Sequence, residues 1–229
     1  MTSVRDKAVS VVKTLQDAGF VAVFAGGCVR DNLLGLEPND YDIATSATPD
    51  QVEASFANTI PVGKSFGIVV VVIDGEEFEV ATFRTDGEYS DARRPDSVEF
   101  SSIEEDAKRR DFTINAIFEN PVTGEILDFV GGVADLKSNV LNTVGYAKDR
   151  FKEDALRILR AARFAGRFNL SLPVGVTVDM ISLADTVTKV SGERIGDELS
   201  KILTGPNSDY ALSILRDTGV LAKIVPEVC

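Results

Sequence analysis

Asn39-Asp40-Tyr41-Asp42-Ile43 holds two aspartates one residue apart. On an extended strand, side chains at i and i+2 share a face, so the reading places both carboxylates on one side of a strand. Like charges so close repel, and a hard dication with oxygen ligands, such as Mg²⁺, relieves that repulsion. A pair of such ions about 3.5–4 Å apart can clamp the attacking and leaving oxygens of a phosphoryl transfer. A bare acidic pair of this spacing is more often a turn or a solvated strand face, so its surroundings must decide.

Gly26-Gly27-Cys28-Val29-Arg30-Asp31 stands upstream, between an expected strand (Val21–Ala25) and a short helix (Val29–Leu34). Glycines there let the backbone approach a ligand, and a helix start favours anions, so Gly26, Gly27 and Arg30 suit a triphosphate. Alone, the segment would be a tight strand-to-helix turn. Gly63-Lys64-Ser65 invites comparison with a nucleotide-binding P-loop, but Asn58 stands where that motif needs its first glycine.

Glu79 lies on an expected strand between apolar Phe78 and Val80, as a third carboxylate for the acidic pair or as an ordinary exposed strand residue. In Arg109-Arg110-Asp111-Phe112-Thr113-Ile114-Asn115, Arg110 can fork onto phosphate oxygens. Asp111 and Asn115 can orient a ribose or a neighbouring side chain. A solvated charge run closing a helix is the plainer alternative.

Further on, Asp154, Arg157, Arg160 and Arg163 recur every three residues beside the apolar stripe Phe151, Ala155, Ile158, Leu159 and Ala162. Pairing at i,i+3 accounts for Asp154 with Arg157, but not for three arginines in file. A carboxylate beside a guanidinium sets an acceptor next to a donor. The Watson–Crick edges of C and A offer an amino donor beside a ring-nitrogen acceptor, and G and U present the opposite order. Asp154 and Arg157 can therefore select CTP and ATP without a template, leaving Arg160 and Arg163 for phosphates or an RNA end.

The elements that must position these residues read clearly. A helix over Val4–Ala18 is capped by Gly19, and Thr48-Pro49 opens another helix. A strand over Phe66–Ile73 turns at Asp74-Gly75 into a second strand over Glu77–Arg84. Asp86–Ser97 reads as an exposed loop, Ser102–Arg110 as a helix, and Pro121–Gly124 as a second hairpin turn. Beyond Gly145 the pattern is helical, over Arg150–Arg167, after Pro173, and over Gly192–Leu203 and Asn207–Asp217. We therefore expect a boundary near residue 148.

Composition narrows the chemistry. With no histidine among 229 residues, a Ser-His-Asp triad and an imidazole base are excluded, so catalysis must run on carboxylates, Arg, Lys and metal. Cys28 and Cys229 form neither a disulfide framework nor a thiolate metal site. A net charge of −12 argues mildly against nucleic acid, but residues 148–167 are locally basic. No apolar run is long enough for a membrane span, so the expected location is cytoplasmic.

Together these motifs resemble the class II tRNA nucleotidyltransferases, the CCA-adding enzymes, and the related bacterial poly(A) polymerases. Gly26–Asp31 with Asp40 and Asp42 is similar to their first motif, Arg109–Asp111 with Asn115-Ala116 to their ribose-binding motif, and Glu153-Asp154-Ala155-Leu156-Arg157 to their base-selecting motif. Ser191–Ile195 and Leu215–Pro226 resemble their neck helices. The resemblance implies an α+β fold: a nucleotidyltransferase-type head with a mixed β-sheet and flanking helices (residues 1–148), then an all-α neck (149–229). It implies two Mg²⁺ ions on Asp40 and Asp42, and attack of a tRNA 3′-hydroxyl on the α-phosphate of CTP or ATP with loss of pyrophosphate. Gly27, Arg30, Arg110, Asp154, Arg157, Arg160 and Arg163 would bind the nucleotide. Residues 84–95 are similar to a flexible element tied to addition of the final A, which disfavours a CC-only enzyme. The tRNA-gripping body and tail domains are expected to lie outside this sequence. A poly(A) polymerase and a catalytically idle RNA- or nucleotide-binding module remain the alternatives.

Overall fold

The computed structural model describes residues 3–87 and 97–228. The expected loop at 86–97 thus lies mostly outside the described residues, as does Cys229. The described chain forms two compact units, one of residues 3–87, 97–110 and 114–132, the other of 111–113 and 133–228.

The first unit is built on strands β1 (Ala22–Ala25), β2 (Ile43–Thr45), β3 (Thr59–Ile60), β4 (Ile68–Ile73), β5 (Glu76–Thr82), β6 (Arg84–Asp86), β7 (Val98–Phe100), β8 (Ile117–Asn120) and β9 (Glu125–Asp128). Seven of them form one mixed sheet in the order β3-β4-β5-β2-β1-β8-β9, and β6 and β7 pair as a separate ribbon. Only β2 and β5 run parallel, in the register Ile43↔Val80.

The β4–β5 hairpin turns at Asp74-Gly75, both at positive φ. β4 starts later than expected because Lys64–Phe66 closes a 3₁₀ turn held between Gly63 and Gly67, both left-handed. Helices α1 (Val4–Asp17), α2 (Gly27–Leu33) and α3 (Pro49–Ser55) pack against the sheet, and α4 (Ile103–Lys108) packs against β6 of the ribbon. α1 buries Ala8, Val11, Val12 and Leu15, a 3.6-residue stripe, and Ser3 with Asp6 closes a capping box at its start. Phe24, Phe78, Phe83, Phe118 and Ile43 fill the core.

The second unit is helical: α5 (Gly132–Lys137, entering it from Val133), α6 (Ala147–Glu153), α7 (Leu156–Phe168), α8 (Val174–Leu183), α9 (Gly192–Leu203), α10 (Ser208–Asp217) and α11 (Leu221–Ile224). α7 buries Ile158, Leu159, Ala161, Ala162 and Ala165 and packs against α9 and α10. The contact with α10 is close at Gly166, where a Cβ would come within 2.8 Å of the Ala211 Cβ.

The single helix expected over Arg150–Arg167 is two. It breaks at Asp154, whose backbone is extended (φ −148°, ψ 107°) and whose carboxylate accepts the Leu156 N–H at 3.0 Å. A short acidic side chain that bonds the backbone two residues on competes with the helix and starts the next one. The i,i+3 pair expected between Asp154 and Arg157 is accordingly not made.

Candidate active site

In the first unit the acidic pair precedes β2 rather than lying on it. Asp42 still extends the β1–β2 ladder by one bond, because its carbonyl accepts the Ala25 N–H at 3.0 Å. The parallel register that opposes Ile43 and Val80 sets Asp42 beside Glu79, one residue earlier on each strand. Asp42 and Glu79 line one cavity of about 280 Å³. Asp40 and Glu79 are exposed, while Phe78 and Val80 point into the core as the alternation predicts.

Asp42 is exposed as well, yet the protein packed around its carboxyl pushes its pKa up to about 6. The charges of Asp40 and Glu79 push the same way, and Arg110 opposes them. Among the described residues no group of three or more acidic, His or Cys side chains closes into a metal cage. Mg²⁺ does not require one, since it keeps several waters and is commonly bound by one or two carboxylates plus substrate phosphates. Mutually repelling, solvent-exposed carboxylates fit that ion.

Three arginines line the same cavity: Arg84, Arg109 and Arg110. Arg110 donates through Nε and Nη2 to Asp106 Oδ2 at 3.2 and 2.9 Å, and through Nη1 to the Asn115 carbonyl at 3.1 Å. Its guanidinium lies 4.8 Å from the Phe118 ring centre. Asp106, only 1% exposed, also accepts from Arg109 Nε at 2.9 Å and from the Arg84 N–H at 3.3 Å. Burial alone would raise its pKa, but Arg110 and Arg109 outweigh burial and hold it below the ordinary value. Sequence reasoning passed over Asp106, although its i,i+3 and i,i+4 spacing to Arg109 and Arg110 was visible.

The glycine turn has a local reason. Gly26 sits at φ 68°, ψ −116°, and a Cβ there would meet Arg110 Nη1 at 3.0 Å and the Asn115 carbonyl at 3.3 Å. Only glycine combines that backbone with that approach. Gly27 then opens α2. Arg30 is buried, donating to Asp31 through Nε at 2.8 Å and to the Asn115 side chain through Nη1. Asn115 thus joins Arg30, through its side chain, to Arg110, through its carbonyl. The expected nucleotide-binding residues Gly26, Gly27, Arg30, Arg110 and Asn115 come together in this unit.

In the second unit each arginine of the file has its own carboxylate. Arg157 Nη1 donates to Glu153 and to the Arg150 carbonyl, the latter at 3.1 Å. Arg160 donates through Nε to Asp111 Oδ2 at 2.9 Å, and Arg163 through Nε to Glu198 Oε2 at 2.6 Å. Glu198 is 3% exposed, so Arg163 links α7 to α9. Asp154 pairs with Arg194, Nη2 to Oδ2 at 2.7 Å. The sequence reading named Glu153 and Arg194 only as members of motifs, not as partners of these groups, and did not name Glu198.

Residues 22–142 match the family described as the poly A polymerase head domain. The chain belongs to that family, the one shared by tRNA nucleotidyltransferases and bacterial poly(A) polymerases. As a member it also matches, over residues 177–229, the family described as the probable RNA and SrmB-binding site of polymerase A. The CCA-adding enzyme of Geobacillus thermodenitrificans is 47% identical over 215 residues, covering 93% of this chain and 53% of that protein. That of Lactobacillus delbrueckii subsp. bulgaricus is 45% identical over 221 residues, 96% of this chain and 56% of its own length. The Bacillus stearothermophilus CCA-adding enzyme in complex with CTP superposes with a TM-score of 0.89 at 42% identity, covering 98% of this chain and 54% of the other. A tRNA nucleotidyltransferase complexed with a primer tRNA and an incoming ATP analog gives 0.78 at 30% identity, covering 94% and 62%. The chain spans about half the length of the curated relatives it matches.

Proposed function

We propose that this chain carries the catalytic head and the base-selecting neck of a template-independent tRNA nucleotidyltransferase, which adds CCA to tRNA 3′ ends from CTP and ATP. The observation that carries the reading is that two carboxylates, Asp42 and Glu79, and three arginines, Arg84, Arg109 and Arg110, line one and the same cavity. A nucleoside triphosphate brings negative oxygens that suit the arginines.

Asp40 and Asp42 would hold Mg²⁺, two ions in our reading, with Glu79 beside them; the metal would neutralise charge developing on the phosphoryl oxygens. Arg110, braced by Asp106 and Asn115, binds and orients the phosphates, and Gly26 and Gly27 let the backbone approach them. Held in this way, the α-phosphate is attacked by the RNA 3′-hydroxyl and pyrophosphate departs, so positioning and charge stabilisation do most of the work. In the 149–229 region Asp154 accepts from the base amino group and Arg157 donates to its ring nitrogen. Arg160, tethered to Asp111, and Arg163 complete the nucleotide-binding set. Among the described residues no helix is long and apolar enough to cross a membrane, and we place the reaction in the cytoplasm.

Incubation with tRNA lacking CCA, Mg²⁺ and each nucleotide separately tests this. CTP and ATP should be incorporated, and uptake of UTP or GTP at the same rate would refute the base-reading pair. The family's descriptions favour poly(A) synthesis as the second reading. That activity would extend unstructured RNA with ATP alone into long products on a sequencing gel.

A further inference from the structure

We propose that Arg194 is a positioning residue that sets base selectivity by fixing the acceptor geometry of Asp154. The inference rests on the reading of Asp154 and Arg157 as the base-recognising pair and names what holds that pair in register.

Arg194 occupies the first turn of α9 (Gly192–Leu203), where a cation is disfavoured by the helix dipole. Helix stability therefore does not account for it. Its two bonds among the described residues both run to Asp154: Nη1 to Oδ1 at 3.3 Å and Nη2 to Oδ2 at 2.7 Å. Such a two-pronged contact fixes the plane of a carboxylate as well as its position. Asp154 needs a brace of this kind, because it lies in the break between α6 and α7 with extended backbone, outside either helix.

The lone pairs can be counted. An ionised carboxylate accepts at about four sites. Oδ1 of Asp154 takes the Leu156 N–H at 3.0 Å and Arg194 Nη1, and Oδ2 takes Arg194 Nη2. The remaining site is on Oδ2. On Arg157, Nη1 is committed to the Arg150 carbonyl and Glu153, which leaves Nε and Nη2 as donors. One acceptor and one donor edge, each braced by a different residue, form a fixed reader for an amino group beside a ring nitrogen. Without Arg194, Asp154 keeps only the Leu156 N–H and can rotate, so its acceptor no longer stands at a defined place.

The test is equilibrium binding of CTP, ATP, UTP and GTP, each with Mg²⁺, to the full chain and to its Arg194→Ala, Arg194→Lys and Asp154→Ala variants, with melting curves for each. In Arg194→Ala the preference for CTP over UTP should fall at least about tenfold, equivalent to about 1.4 kcal/mol. UTP affinity, carried by the triphosphate, should stay within about twofold. Lys keeps the charge but loses the fork, so Arg194→Lys should recover only part of the preference. Should the alanine variant fail to fold, the lysine variant decides by the same ratio. An unchanged ratio in a folded Arg194 variant, with the ratio lost in Asp154→Ala, overturns the inference and leaves the base-reading pair standing. Equal binding of all four nucleotides by the unaltered chain overturns both.

Discussion

Replacing Asp106 with alanine removes the acceptor shared by the three arginines that line the cavity. Four bonds are lost at once: Arg110 Nε and Nη2 at 3.2 and 2.9 Å, Arg109 Nε at 2.9 Å and the Arg84 N–H at 3.3 Å. The Asp106 side chain is 2% exposed, and those of Arg109 and Arg110 are 21% and 19% exposed. Removing one partner of a fully buried pair costs about 3–5 kcal/mol. Since both guanidiniums reach some water, the lower end applies, about 3 kcal/mol. For a chain of this size that is a fall in Tm of roughly 6–12 °C. Because the folded-state pKa of Asp106 is depressed, its contribution is complete above the ordinary value of 3.8 and fades only as pH falls through the lower folded value. Thermal melts at pH 7 and at pH values below 3.8 should therefore show a full deficit at pH 7 that narrows in acid. The same variant should raise KM for the nucleotide, since Arg110 then keeps only its bond to the Asn115 carbonyl and its contact with the Phe118 ring. A Tm within about 2 °C of the unaltered chain at pH 7 would refute the assignment of Asp106 as the brace.

Other outcomes follow from the same geometry. Gly26→Ala places a Cβ against Arg110 Nη1 on a backbone that only glycine tolerates; urea unfolding should register a loss of about 1–3 kcal/mol, with nucleotide affinity falling as Arg110 is displaced. The Cys28 thiol is pushed up to about 12 by burial, with the Asp42 charge adding to it, and its Sγ donates to the Ala25 carbonyl at 3.5 Å. Peptide mapping after iodoacetamide at pH 8 should find Cys28 labelled only after denaturation.

What could be read from the residues themselves was whatever depends on local spacing. The α1 stripe, the Asp74-Gly75 hairpin, the Pro49 helix start and the glycine turn after β1 all appear where periodicity and turn chemistry put them. The break at Asp154 did not show, because the apolar stripe runs through it without interruption and only the carboxylate's bond to the Leu156 N–H splits the helix. Nor did the partners of the arginines. Arg160 meets Asp111 across 49 residues and Arg163 meets Glu198 across 35, contacts that no 3.6-residue pattern contains. Asp42 was singled out as a candidate from its spacing but misplaced as structure, since it joins the sheet by one carbonyl just before β2 begins. The alternation along β5 did expose Glu79, and the parallel pairing with β2 then set it beside Asp42.

We propose that the acidic pair holds a divalent metal beside the cavity that Asp42 shares with Arg84, Arg109 and Arg110. This claim is tested most directly by titrating Mn²⁺, in the presence of CTP, into the unaltered chain and into Asp42→Asn, following free Mn²⁺ by electron paramagnetic resonance. Several kcal/mol of metal interaction correspond to more than about a hundredfold in binding. The unaltered chain should therefore deplete the free-ion signal at concentrations where the variant, melting at the same temperature, does not. Equal depletion by the two folded proteins would contradict the account.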